Sequence, residues 1–148
     1  LLFEAFDGVH EAKVINEDLI KMEMKINSQI LQNKYGTWLD TGSPHLVIEK
    51  ENTDKLDVNL EGSSIRYNEH YKTYERGVEN ETLACGTGST ASAICMNYLG
   101  KSSSNLITMK CRGGDLKVQF NSKNKEFNNI SITGPAKLVF DGQINIKI

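Results

Sequence analysis

Residues 87–99 constrain the fold more than any other stretch. Ala91, Ala93, Ile94, Met96, Tyr98 and Leu99 favour or tolerate a helix, and Gly100 stands where a C-terminal stop is expected. Thr90, Ser92 and Asn97 are its only polar interior positions, which leaves no broad polar face for water. A helix that is apolar almost all round has to be buried. The rest of the chain offers short strands to wrap it. Residues 18–26 alternate, with Ile20, Met22, Met24 and Ile26 on one face and Lys21, Glu23 and Lys25 on the other; a period of two marks a half-buried strand. Residues 3–6 and 11–15 flank Asp7-Gly8, a hairpin-type turn. Runs 35–40 and 45–50 are separated by the sharp loop Thr41-Gly42-Ser43-Pro44. Strand character returns at 106–111, 115–120, 128–133 and 136–140, with turns at Gly113-Gly114, 121–124 and Gly134-Pro135. Residues 143–148 alternate again through Ile144, Ile146 and Ile148. A weaker helix is predicted over 53–66, capped by Thr53, with Leu56, Leu60 and Ile65 as its apolar face. One central helix among many short strands is an α+β architecture.

Composition narrows the function. A chain of 148 residues holds one domain or at most two small lobes. Lys plus Arg is 17 against 19 Asp plus Glu, a net charge of −2, and no basic block stands out. That balance argues against a dedicated nucleic-acid binder. No apolar run is long enough to span a bilayer. The chain opens on Leu1, and no basic-then-apolar leader follows, so no signal peptide is expected and the natural start is read as trimmed or missing. Three cysteines at positions 85, 95 and 111 fit neither a disulfide framework nor a zinc site. A reducing, cytoplasmic setting is the simplest expectation. Cys95, between Ile94 and Met96 on the apolar helix, reads as core; Cys111 reads as a structural residue closing a strand.

The candidate chemistry lies in the stretch from Glu75-Arg76 to Ala84-Cys85-Gly86-Thr87-Gly88. A cysteine there precedes a Gly-Thr-Gly loop from which the buried helix starts. The first amides of a helix have no internal partner and, with the helix dipole, make a cradle for an anion. The same field favours the thiolate of a cysteine placed at that end. Arg76 is suited to a bidentate bond with a carboxylate, and Glu75 to proton exchange. The plainer alternative for Cys85 is a small buried hydrophobe. The glycines follow neither the nucleotide-binding phosphate loop, since no Lys-Ser/Thr pair follows Gly88, nor the dinucleotide fingerprint, since its third Gly is missing. His45, fixed after Pro44, is the second candidate; on its own it is a loop histidine. His10 and His70 read as surface or strand residues. Asp7, Asp40 and Asp141 sit where turn chemistry alone accounts for them.

Taken together these segments resemble the diaminopimelate epimerase family. The resemblance is carried by Tyr74-Glu75-Arg76-Gly77-Val78-Glu79 running into Glu81-Thr82-Leu83-Ala84-Cys85-Gly86-Thr87-Gly88, and by Asp40-Thr41-Gly42-Ser43-Pro44-His45-Leu46-Val47. Asp7-Gly8-Val9-His10-Glu11-Ala12 and Thr133-Gly134-Pro135-Ala136 are similar to its flanking segments. It implies two similar lobes, each a curled sheet around a helix, with the site between them. On that reading 31–135 is the second lobe, and 1–30 with 136–148 are remnant strands of the first. The implied activity is a cofactor-independent inversion of LL-diaminopimelate to the meso form by two thiols acting on opposite faces of the α-carbon. By position, Cys85 matches one catalytic cysteine, and Gly86 and Thr87 match the amides that hold the α-carboxylate. Glu75 and Arg76 match substrate contacts, Glu75 also assisting catalysis. His45 matches the histidine assisting at the proton-transfer centre, and Ser43 a substrate contact where many members carry Asn. The implied partner is a small amino-acid substrate, with no nucleic acid, membrane or metal, and the family's assembly is a homodimer.

Two departures follow. The other catalytic cysteine belongs to a Cys-Gly-Asn-Gly segment upstream of anything in this chain, so the chain alone is expected to be inactive or nearly so. Only 68–72 remain where the family has a longer stretch bearing a substrate-touching Asn. The competing expectations are a non-catalytic carboxylate-binding or interaction remnant of the fold, and a sister racemase or isomerase, which the Glu75-Arg76 pair beside Cys85 disfavours.

Overall fold

The computed structural model describes residues 1–5, 8–51, 55–66 and 82–146. In chain order the strands are β1 (Leu2–Ala5), β2 (Gly8–Asn16), β3 (Leu19–Glu23), β4 (Leu31–Gln32), β5 (Thr37–Asp40) and β6 (Pro44–Val47). Then come α1 (Val58–Arg66), α2 (Gly86–Tyr98), β7 (Leu106–Cys111), β8 (Gly114–Lys123) and β9 (Glu126–Pro135). Among the described residues the strands form a six-stranded sheet ordered β1-β2-β3-β9-β8-β7 and a three-stranded sheet β4-β5-β6. Every pairing in both sheets is antiparallel. This is the α+β class expected. The strands read as first-lobe remnants, β1 to β3, share a ladder with β9 through Leu19↔Pro135 to Glu23↔Ser131.

Helix α2 forms and is enclosed for the reasons its composition gives. It packs against β5, β6, β7, β8 and β9, so both sheets cover it. Ser89, Thr90, Ala91, Ala93, Ile94 and Cys95 are buried, and the small side chains among them let the strands approach. Thr90, a polar residue mid-helix, is satisfied because its hydroxyl donates to the Gly86 carbonyl at 2.9 Å. The helix ends at Gly100 in the left-handed region, φ 70°. There the Gly100 and Lys101 amides donate back to Asn97 and Met96, a glycine stop of the Schellman kind. Leu39, Val118, Phe120, Ile130, Ile132 and Met24 complete the core around Ala91, Ile94 and Cys95. No described helix is long and apolar enough to cross a membrane.

Several boundaries differ from the expectations. The helix expected over 53–66 starts at Val58. Asp57 caps it, its carboxylate accepting from the Leu60 amide at 3.0 Å; Thr53, the expected cap, lies outside the described residues. Phe6-Asp7, the tip of the first hairpin, also lies outside them, while β1 and β2 pair as expected. The turn expected at 121–124 is displaced. Asn124 and Lys125 both have positive φ, 54° and 65°, the pairing a type I′ hairpin turn needs. So β8 runs on to Lys123, opposite Glu126. The ladder then slips by one residue between Gln119 and Asn121, with Asn129 at φ 51°, a β-bulge.

Gly134-Pro135 is not a turn. Both residues extend β9 opposite Ile20 and Leu19. The glycine answers a packing need, because a Cβ at 134 would run into the Leu116 side chain on the neighbouring strand. The strands expected at 136–140 and 143–148 are absent from the described part, which ends at 146. After the Ala136 amide donates to the Asp18 carbonyl, the backbone meets no neighbouring strand. Leu138, Val139, Phe140, Ile144 and Ile146 are exposed. Alternating apolar residues mark a face, but a strand exists only where another backbone completes its ladder.

Candidate functional site

The site grows from the junction of α2 with the β5–β6 hairpin. Cys85 is the N-cap of α2, with extended backbone (φ −130°, ψ 110°). From there its Sγ accepts the Gly88 amide at 3.4 Å, using one of the donors a helix start leaves unpaired. Ser89 donates its amide to the Cys85 carbonyl at 2.9 Å, closing the first turn. Gly88 keeps the corner open: a Cβ there would stand 3.3 Å from Cys85 Sγ and 3.5 Å from His45 Cε1.

The hairpin brings His45 to this corner. Asp40 turns the chain, its carboxylate accepting from the Gly42 amide at 2.9 Å, and Gly42 takes φ 108°. Pro44 opens β6, a tolerated strand position for a residue without an amide proton. His45 then pairs with Leu39, the fully buried anchor of β5. Three side chains meet here. His45 Nε2 is 2.9 Å from Thr87 Oγ1 and 3.1 Å from Ser43 Oγ, and the two hydroxyl oxygens are 3.2 Å apart. Thr87 Oγ1 is also 3.5 Å from Cys85 Sγ. Cys85, Thr87, His45 and Ser43 thus form one hydrogen-bonded cluster, all half-buried. Ser43, expected to touch substrate, directs its hydroxyl at His45 and Thr87. Glu75 and Arg76 lie outside the described residues, as does His70.

Sequence reasoning missed Thr41. It is buried, and its hydroxyl donates to the Thr87 carbonyl at 2.9 Å, tying the hairpin loop to the start of α2. The signal was its place inside the Asp40-to-Val47 segment already singled out. Cys85 and His45 open into a cavity of about 670 Å³ whose far side is made by Met109, Lys110, Cys111 and Arg112. Cys111 is half-buried with its Sγ 3.5 Å from Ser89 Oγ. His10 is a strand residue stacked on Phe3 with centroids 5.5 Å apart.

Cys95 is core, as expected, and 1% exposed. Burial pushes its thiol up from 9.0 to about 12. The folded state therefore holds this proton more tightly than the unfolded chain does. The associated stability is complete below the ordinary thiol range and is lost as pH rises from there toward the folded value. Urea unfolding of wild type and Cys95→Ala tests this. The wild type is expected to lose stability relative to the variant as pH rises above 9.0 toward 12; a gap that does not change with pH would contradict it.

Comparison with known proteins matches the sequence to a family. The sequence model described as diaminopimelate epimerase matches residues 61–139, which include Cys85 and the whole of α2. The chain is 41% identical to the diaminopimelate epimerase of Flavobacterium psychrophilum, over 96% of this chain and 63% of the relative. It is 36% identical to that of Chlorobaculum tepidum, over 97% of this chain and 65% of the relative. With that of Hydrogenobaculum sp. the identity is 33%, over 100% of this chain and 63% of the relative. The chain therefore spans just under two thirds of the length of these relatives. With the family model covering more than half of it, the chain belongs to the diaminopimelate epimerase family.

Proposed function

We propose that the protein to which this chain belongs inverts LL-diaminopimelate to meso-diaminopimelate without a cofactor, feeding lysine and cell-wall precursor synthesis in the cytoplasm. The observation that carries this is Cys85 at the first turn of a buried helix, hydrogen-bonded into a cluster with Thr87 and, through it, His45 and Ser43. An α-proton beside an ammonium and a carboxylate is very weakly acidic, so its removal needs a placed base and a stabilised product charge. Cys85 takes that proton as a thiolate, or delivers one as a thiol in the reverse direction. The Gly86 and Thr87 amides, at the positive end of α2, hold the α-carboxylate where charge accumulates. Arg76 and Glu75 complete the substrate's contacts on this side, and Glu75 assists the proton transfer.

An inversion needs a second acid on the opposite face. We assign it to a thiol in a first lobe, to which residues 1–30 and 136–148 contribute and of which 31–135 are the second-lobe counterpart. On this reading the chain alone turns over little or no substrate, and the full-length protein works as a homodimer. The test incubates full-length protein with LL-diaminopimelate in deuterated buffer with no added cofactor. Formation of meso product carrying deuterium at the α-carbon is expected. Unchanged, unlabelled substrate would overturn the reading.

A further inference from the structure

The Thr87 hydroxyl stands between the imidazole and the thiol of the cluster. It is 2.9 Å from His45 Nε2 and 3.5 Å from Cys85 Sγ. The peptide that bears it is fixed from behind, because the Thr41 hydroxyl donates to the Thr87 carbonyl at 2.9 Å. A hydroxyl has one proton to give and lone pairs to receive. Cys85 Sγ already accepts the Gly88 amide at 3.4 Å, and a thiolate there can only accept. With a thiolate at Cys85 the Thr87 hydroxyl donates to Sγ, which leaves its oxygen to accept from His45 Nε2 in the tautomer that carries the proton there. The Ser43 hydroxyl lies 3.1 Å from the same nitrogen and 3.2 Å from the Thr87 hydroxyl.

We propose that Thr87 acts through its side chain as a positioning residue that couples His45 to Cys85, directing donors from Nε2 to Oγ1 to Sγ so that the thiolate is held and oriented. The inference deepens the epimerase reading and rests on it, since it gives Thr87 a second task beside its amide. Among the described residues, the charged and titratable groups facing the same cavity beside Cys85 are His45 from β6, with Lys110, Cys111 and Arg112 from β7 and the turn after it.

The experiment measures iodoacetamide alkylation of Cys85 against pH, read peptide by peptide by mass spectrometry, on the full-length protein. Thr87→Val keeps the shape and removes the hydroxyl. It is expected to slow alkylation near neutral pH by about tenfold, the scale of one lost hydrogen bond to a charged group, and to move the rise in rate to higher pH. Thr87→Ser keeps the hydroxyl and should restore the wild-type profile. With His45→Ala in the background, the effect of Thr87→Val should shrink. Cys95 staying unreactive reports an intact fold in each variant; if Thr87→Val exposes it, Thr87→Ala takes its place. Identical profiles for the valine and serine variants, or an effect undiminished by His45→Ala, would overturn the coupling. Because no substrate is used, failure here is separate from failure of the epimerase reading, which the deuterium assay detects.

Discussion

Replacing Cys85 by alanine in the full-length protein is expected to lower turnover of LL-diaminopimelate by about a thousandfold or more, within the range of losing a placed acid or base. On the proposed mechanism the group that meets the α-proton would be gone. The amides of Gly86 and Thr87 would remain, so KM should change far less than kcat. Cys85→Ser separates chemistry from structure. Serine is a good N-cap and can accept the Gly88 amide as Cys85 Sγ does. Its hydroxyl, however, stays protonated near neutral pH, so the serine variant should fold as well as wild type and turn over almost as poorly as the alanine variant. A serine variant with most of the wild-type kcat would mean that Cys85 serves as a cap and no more.

The largest effect on stability is expected from Phe120→Ala, a loss of about 3–5 kcal/mol in urea unfolding. Phe120 is 1% exposed and is the largest of the fully buried side chains. It meets Phe127 edge-on, with centroids 5.4 Å apart and planes at 75°. It also sits on β8 where the β8–β9 ladder slips by one residue, so neighbouring backbone is already committed to an irregular geometry and cannot close freely over a cavity. A domain of ordinary stability has only about 5–15 kcal/mol to lose. The variant should therefore unfold at much lower urea, with α2 losing part of the sheet that covers it. A loss under about 1 kcal/mol would show that the core repacks around the missing ring.

The central helix was legible because its signal is local and strong. Thirteen residues with almost no polar face admit one placement, and Gly100 supplied the end. The residues of the cluster were named through the family resemblance, but their hydrogen bonding to one another was not legible. Cys85, Thr87, His45 and Ser43 lie in two short segments, and the fold brings those segments together. Three further things were not legible. A turn at 121–124 looked natural from its asparagines, yet the chain turns at Asn124-Lys125, where two successive residues take positive φ. Gly134-Pro135 has turn composition, but the glycine is there to clear Leu116 across the sheet. Leu138 to Ile146 carry an apolar pattern whose strand would require a partner, and pattern alone says nothing about partners. Thr41 shows the same limit at the site: its task, holding the Thr87 carbonyl, exists only once β5 and α2 are side by side.

The most direct test of the account follows deuterium at early times, starting from LL-diaminopimelate and separately from the meso form, in wild type and Cys85→Ala. On the proposed mechanism one cysteine starts as a thiolate and takes the α-proton, while the other starts as a thiol on the opposite face and delivers one. The base therefore returns the original hydrogen to unconverted substrate, while the opposite thiol, equilibrated with solvent, delivers deuterium to the product. The account predicts α-deuterium in the product and little in the recovered substrate for wild type, in both directions, and neither conversion nor product labelling for Cys85→Ala. Undiminished labelling in both directions with Cys85→Ala would contradict it.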